Sequence, residues 1–298
     1  CIRDSFAEAW SAATGEITSE DSRATVTLLA EADIDAFITV ESNQYITLDL
    51  NGNTLDRGLT EAIENGYVIL VRGNLIINDS SGNNSGKITG GYNSSDYSGC
   101  IFVSTGTLTL NGGTITKNTV TGTYGGGGVY VFSGGTFEMN GGVISYNTAT
   151  QTQYGGGGVN AGTGSFTMNG GTISNNTAYN GGGIRAGSFT DLLEITGGTI
   201  TNNTATNNGG GVYVFNVTFN LSGSAQIIGN TVNDSANNVY LADAVVITLT
   251  AEFTGEVGVM TKPTPTANSP VTVTSGYSTY GTTGTFTSDY NSYMISES

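Results

Sequence analysis

An all-β parallel β-helix is the fold predicted for this 298-residue chain, on three observations. The first is an internal repeat, which outranks other signals where it exists. Leu108-Thr-Leu-Asn-Gly-Gly-Thr-Ile115 recurs as Phe137-Glu-Met-Asn-Gly-Gly-Val-Ile144, as Phe166-Thr-Met-Asn-Gly-Gly-Thr-Ile173 and as Leu193-Glu-Ile-Thr-Gly-Gly-Thr-Ile200. A decayed copy runs from Phe219 through Leu221 and Gly223 to Ile227, and the first glycines stand at 112, 141, 170, 197 and 223. The second observation is that apolar and polar residues alternate within each copy, the period of a strand with one buried face. The third is composition: Gly, Thr and Asn contribute 46, 46 and 30 residues, which suits short strands and tight corners and is too poor in Ala, Leu, Glu and Lys for a helical bundle. One repeat cannot bury its own apolar face, whereas stacked repeats can, so each repeat is one coil. Some eight or nine coils at the inter-strand spacing make a rod on the order of 40 Å long.

The elements follow in chain order. Residues 1–22 form an N-terminal capping helix and its lead-in. Ser5 stands as N-cap with Glu8 three residues on, and Phe6, Ala9, Trp10 and Ala13 share one face. A solenoid needs such a cap because its end coils expose strand edges, and Trp10 would plug the core. Residues 23–250 form the β-helix. Ile46-Thr-Leu-Asp-Leu-Asn-Gly-Asn-Thr-Leu55 and Leu75-Ile-Ile-Asn-Asp79 are early coils. From there Phe137, Met139 and Ile144 should stack under Phe166, Met168 and Ile173. A second signature, a glycine run and a short strand, appears at Val129-Tyr-Val131, Val159-Asn-Ala161, Ile184-Arg-Ala186 and Val212-Tyr-Val214, with weaker copies at Ile101-Phe-Val103 and Val239-Tyr-Leu241. Three residues after each motif Ile stands Asn118, Asn147, Asn176, Asn203 or Asn230, each followed by Thr. An amide both donates and accepts, so these asparagines should form a buried ladder, and Asn also tolerates the left-handed backbone of a corner. Residues 251–298 form a C-terminal cap or tail. Pro263, Pro265 and Pro270 mark a loop, and residues 271–295 fold back as a β cap.

Charge and residue type exclude many functions. The net charge is −16, which opposes binding to nucleic acid or to anionic membrane by charge. No apolar run is long enough for a membrane-spanning helix. Histidine is absent, so there is no Ser-His-Asp triad, Cys-His pair or histidine metal site, and no cofactor is expected. Of the 24 acidic residues, 15 lie in residues 1–96 and only Glu138, Asp191 and Glu194 lie in residues 97–233, where Lys117 and Arg185 are the cations. Glu138 and Glu194 occupy equivalent outward positions two coils apart, near the upper limit for an inverting carboxylate pair, with nothing nearby to position a substrate. Asp33, Asp35, Asp49 and Asp56 match no calcium loop, and no metal site is expected. Two cysteines, Cys1 and Cys100, are too few for a disulfide scaffold. A chain opening on Cys1 rather than Met reads as a processed or cloned fragment, and Cys1 admits lipidation.

Two sets of residues are candidates for binding. The outward residues of the second strand make a column, Phe102, Tyr130, Asn160, Arg185, Tyr213 and Tyr240, and aromatics with an arginine on a flat sheet face suit sugar rings. Cross-coil pairing that merely stabilises the sheet is the plain alternative. Tyr124, Tyr154 and Tyr179 stand by the glycine runs, in loops of varying length, where scaffolds commonly carry binding.

Ala24-Thr-Val-Thr-Leu-Leu-Ala30, Ile46-Thr-Leu-Asp-Leu-Asn-Gly52 and the tandem Phe-x-Met-Asn-Gly-Gly-x-Ile with Gly-Gly-Gly-Val-Tyr-Val resemble the repeat-bearing surface proteins of gut-type Gram-positive bacteria. Those are similar in turn to the pectate-lyase-like superfamily and to chlamydial polymorphic outer-membrane proteins. The resemblance spans residues 6–293 and implies a right-handed β-helix from a large, secreted, adhesin-like protein, extracellular and associated with the cell surface. It implies no catalytic residue, because the acid clusters with Arg, Lys or His of the pectin-cleaving members are missing. Three functions therefore stand open: a non-catalytic module for adhesion or for binding a glycan or host-surface ligand, a polysaccharide lyase or hydrolase, and a self-associating spacer or filament subunit.

Overall fold

The computed structural model describes residues 5–15, 19–150, 154–187, 189–243, 245–280, 284–290 and 292–296. Over them the chain winds as a right-handed parallel solenoid of about nine turns. Cys1 lies outside the described residues. Each turn gives one strand to a ten-stranded sheet that runs from Ala24–Thr27 through Thr107–Leu110, Thr136–Met139 and Ser165–Met168 to Thr274–Ser275. A larger sheet holds two ladders. One is built from the strands after the Gly-Gly corner, such as Val143–Ser145 and Thr172–Ser174, and the other from the strands after the glycine runs, such as Val129–Val131 and Ile184–Ala186. The two ladders meet at Glu256–Thr261, which pairs with both Gln226–Ile227 and Val239–Ala242. A third sheet stacks the short strands Thr119–Val120, Thr148–Ala149, Thr177–Asn180 and Thr204–Asn208.

The register is that of the sequence repeat. Phe137 faces Phe166 and Met139 faces Met168 on adjacent strands. Ile115, Ile144, Ile173, Ile200 and Ile227 form one inward column. The Phe137 and Phe166 rings are 4.8 Å apart and only 12° from parallel, an offset stack within a fully buried core. The asparagine ladder is present as well. Each Asn donates from Nδ2 to Oδ1 of the next: Asn118 to Asn147 at 3.0 Å, Asn147 to Asn176 at 3.1 Å, Asn176 to Asn203 at 3.0 Å and Asn203 to Asn230 at 2.9 Å. Each backbone N–H donates to the same oxygen, so one carbonyl satisfies two buried donors.

Two details differ from the expectation. The left-handed corner residue is not the ladder Asn but the residue before it: Lys117, Tyr146, Asn175 and Asn202 have φ between 55° and 57°. The ladder residue must aim its amide inward, so the reversal of direction falls one position earlier. Tyr146 is 60% exposed and gains little there in return for a backbone disfavoured by any β-carbon. Tyr146→Asn is therefore expected to raise stability by about 1 kcal/mol in urea unfolding, since Asn visits this region at lower cost. The glycine runs also serve close approach rather than corners alone. A β-carbon on Gly157 would lie 2.2 Å from the carbonyl oxygen of Gly182 in the next coil.

A second ladder runs along the outside. Asn111 donates to Asn78 at 2.9 Å, Asn140 to Asn111 at 3.1 Å and Asn169 to Asn140 at 2.9 Å, and the Thr196 hydroxyl donates to Asn169 at 2.9 Å. Asn111, Asn140 and Asn169 are the asparagines of the Asn-Gly-Gly motif. Donation here points to the N-terminal end of the rod, opposite to the buried ladder.

Both ends are capped. The helix spans Phe6–Thr14, with the Ser5 hydroxyl accepting from the Glu8 N–H at 3.3 Å. Trp10 and Ala13 are buried, Phe6 and Ala9 pack on the core, and the Trp10 indole donates to the Thr39 carbonyl. At the other end Thr274–Ser275 and Thr285–Ser288 continue the parallel stack, and Phe286 packs on Phe253 at 5.0 Å. The buried ladder ends here too. Asn230 donates to Asn238, whose Nδ2 and backbone N–H donate to the two carboxylate oxygens of Asp289 at 2.8 and 2.5 Å. A carboxylate accepts without donating, so it can close a row of amides all donating in one direction. Burial pushes the Asp289 carboxyl above its ordinary range, against the lowering effect of the two bonds from Asn238.

Candidate functional site

The column expected from the sequence exists strand by strand. Phe102 faces Tyr130, Tyr130 faces Asn160, Asn160 faces Arg185, Arg185 faces Tyr213 and Tyr213 faces Tyr240. The face is not open along its whole length. Phe102 and Tyr130 are buried in a small cluster with Tyr67 and Leu70. Tyr97 stacks on Phe102 at 4.4 Å, and Phe102 stacks on Tyr130 at 5.8 Å. The connections ahead of these strands are long enough to lay side chains over them. Burial holds the Tyr130 hydroxyl protonated, with its pKa pushed up to about 12 despite the nearby Arg185 charge. Asn160 is buried too, and its amide donates to the main-chain carbonyls of Tyr124 and Tyr154.

Those two bonds bring the second set of residues to the first. Tyr124 and Tyr154 are exposed, with rings stacked at 5.3 Å, and the Arg185 guanidinium lies over the Tyr154 ring at 5.6 Å. Tyr213 and Tyr240 are half-buried and continue the column, with rings 5.9 Å apart and 6° from parallel. Tyr179 differs from its expected place. The connection in its coil is shorter, so it lies on the strand Thr177–Asn180 rather than in a loop, and it shows no ring contact with Tyr154. The guanidinium tip sits over Gly187, where a β-carbon would lie 2.8 Å from Nη2. Phe189, 77% exposed, stands two residues beyond and was not singled out from the sequence. Its one sequence signal was an aromatic in an otherwise polar turn.

The acidic candidates are placed as follows. Glu138 and Glu194 face outward with Thr167 between them in register, two strands apart as expected. The Asp49 carboxylate accepts from the Asn51 and Ser80 N–H groups and the Ser80 hydroxyl, and Asp56 accepts from the Gly58 N–H, so both brace turns. Asp33 and Asp56 are neighbours across strands. Among the described residues no group of three or more acids and cysteines is placed to hold a metal ion. No helix among them is long and apolar enough to cross a membrane.

Fold and surface together define the class: a parallel β-solenoid whose larger sheet carries an arginine–tyrosine patch. No protein-family model, no curated protein and no solved structure matches the chain.

Proposed function

We propose that this chain is a non-catalytic glycan-binding β-helix module of an extracellular, cell-surface protein of adhesin-like type. One observation carries the reading: Tyr124, Tyr154, Arg185, Tyr213 and Tyr240, drawn from separate coils, converge on one patch of the rigid sheet. Flat rings with polar tips suit the apolar faces and hydroxyls of sugars, and a β-solenoid fixes their spacing without a folding cost on binding. The resemblance of the repeats to bacterial surface proteins supports the extracellular setting.

A glycan array probed with the chain tests this. Selective binding is expected, and the double variant Tyr124→Ala/Tyr154→Ala should weaken it about tenfold or more, as loss of aromatic anchors does. Its melting temperature should stay within a few degrees of the parent, because Asn160 bonds the backbone at these positions and not the rings. An array on which the parent chain binds nothing would sink the reading.

A further inference from the structure

The structure holds a cation with no anion to match it. Arg185 is half-buried, and burial lowers its pKa against the opposing effect of Tyr213, Tyr130 and Tyr154. Its Nε is buried without a hydrogen-bond partner. Among the described residues its side-chain hydrogen bond is long, 3.5 Å from Nη1 to the Asn160 side-chain Oδ1. Among the described residues the side-chain ion pairs are Arg72 with Glu41 and Lys262 with Asp243, so no carboxylate pairs with Arg185. Taking a guanidinium out of water without a partner costs stability, and the strongest complement of an all-donor cation is an oxygen-rich anion. Asp96 and Asp243 act on the neighbouring Tyr130 and Tyr213, whereas the groups acting on the guanidinium itself are tyrosines, in a chain of net charge −16.

From this we infer that Arg185 seats an oxyanion of the bound glycan: the ligand is an acidic sugar, carboxylated or sulfated, with its ring against the Tyr124–Tyr154 or Tyr213–Tyr240 pair. The inference rests on the glycan-binding reading and narrows it. A guanidinium takes carboxylate and sulfate alike through paired N–H groups, so both sources share one chemistry. A neutral sugar hydroxyl in the same place leaves the charge uncompensated, which sets the expected selectivity.

Isothermal titration with matched sugars tests it: sialyllactose against lactose for carboxylate, and sulfated against unsulfated lactose for sulfate. The acidic member of one pair or both should bind about ten- to hundredfold more tightly than its neutral partner, the range for losing a charge-assisted contact. Arg185→Gln should abolish that difference, and without ligand it should melt at or above the parent temperature, since an unpaired desolvated cation is removed. The acidic sugar, and not its neutral partner, should raise the melting temperature of the parent chain, a readout that stands if Arg185→Gln fails to fold. Equal binding of acidic and neutral sugars, unaffected by Arg185→Gln, would overturn the oxyanion seat and leave glycan binding intact. Binding of neither kind, here and across the array, would remove the glycan reading itself. A lower melting temperature for Arg185→Gln with selectivity retained would assign Arg185 to packing alone.

Discussion

Asn176→Ala should destabilise the fold by about 3–5 kcal/mol, from unsatisfied buried donors and acceptors together with the space left behind. Asn176 is fully buried in mid-ladder. Its Oδ1 accepts from both the backbone N–H and the Nδ2 of Asn147, and its Nδ2 donates to the Ile144 carbonyl and to Asn203. Alanine deprives the Asn147 N–H of its acceptor in a dry interior and removes one donor from each of two oxygens. The matched control is Asn140→Ala in the outer ladder, where water replaces the lost partners, and its cost should stay below about 1 kcal/mol. Urea unfolding of the two variants checks the contrast. Comparable effects at the two sites would refute the role assigned to burial. Stability in a stack is shared between neighbours, so Asn176→Ala should also broaden the transition as the two halves uncouple.

Asp289→Asn should cost about 2–3 kcal/mol, because an amide NH₂ then faces the two donors of Asn238 and leaves one unpaired against a formerly charged acceptor. The pH dependence has a definite sign. A carboxyl whose pKa is higher in the folded than in the unfolded chain binds its proton more tightly when folded. Its contribution is fully present below the ordinary carboxylate pKa and is lost as pH rises through the raised value, the direction that burial imposes on Asp289. The stability gap between the parent and Asp289→Asn should therefore narrow from about pH 4 toward neutrality, measured by denaturation in matched buffers. A gap that widens over that interval would show that the two bonds from Asn238 outweigh burial.

What the sequence made legible was whatever repeats. Inward stacking of Phe137 on Phe166 follows from alternation plus period, and the Asn118 to Asn230 ladder follows from a fixed offset after isoleucine. The Ser5 cap was readable because capping chemistry is local. The remainder depends on contacts that no period encodes. Asp289 meets Asn238 across 51 residues, at the point where the repeat has ended. Phe102 and Tyr130 are buried by Tyr97 and by the connections that cover them, and strand alternation carries no information on such a cover. The contact of Arg185 with Tyr154 needed the conformation of a loop of variable length. The outer ladder of Asn111, Asn140 and Asn169 stands at constant spacing within the motif, but the neighbouring glycines already account for a turn there and mask the signal.

The carboxylate that closes the inner ladder has a bearing on how such a chain changes length. Its partners are recognised by chemistry and not by coil number, since any asparagine at the end of the row presents the same two donors. A gene duplication that copies one 29-residue unit, from Asn147 to just before Asn176, would insert a coil with matching donors and acceptors on both faces. The helix at one end and Asp289 at the other would be undisturbed, and the rod would lengthen by about 4.8 Å. Length is thus a heritable variable uncoupled from folding, open to change by unequal recombination alone.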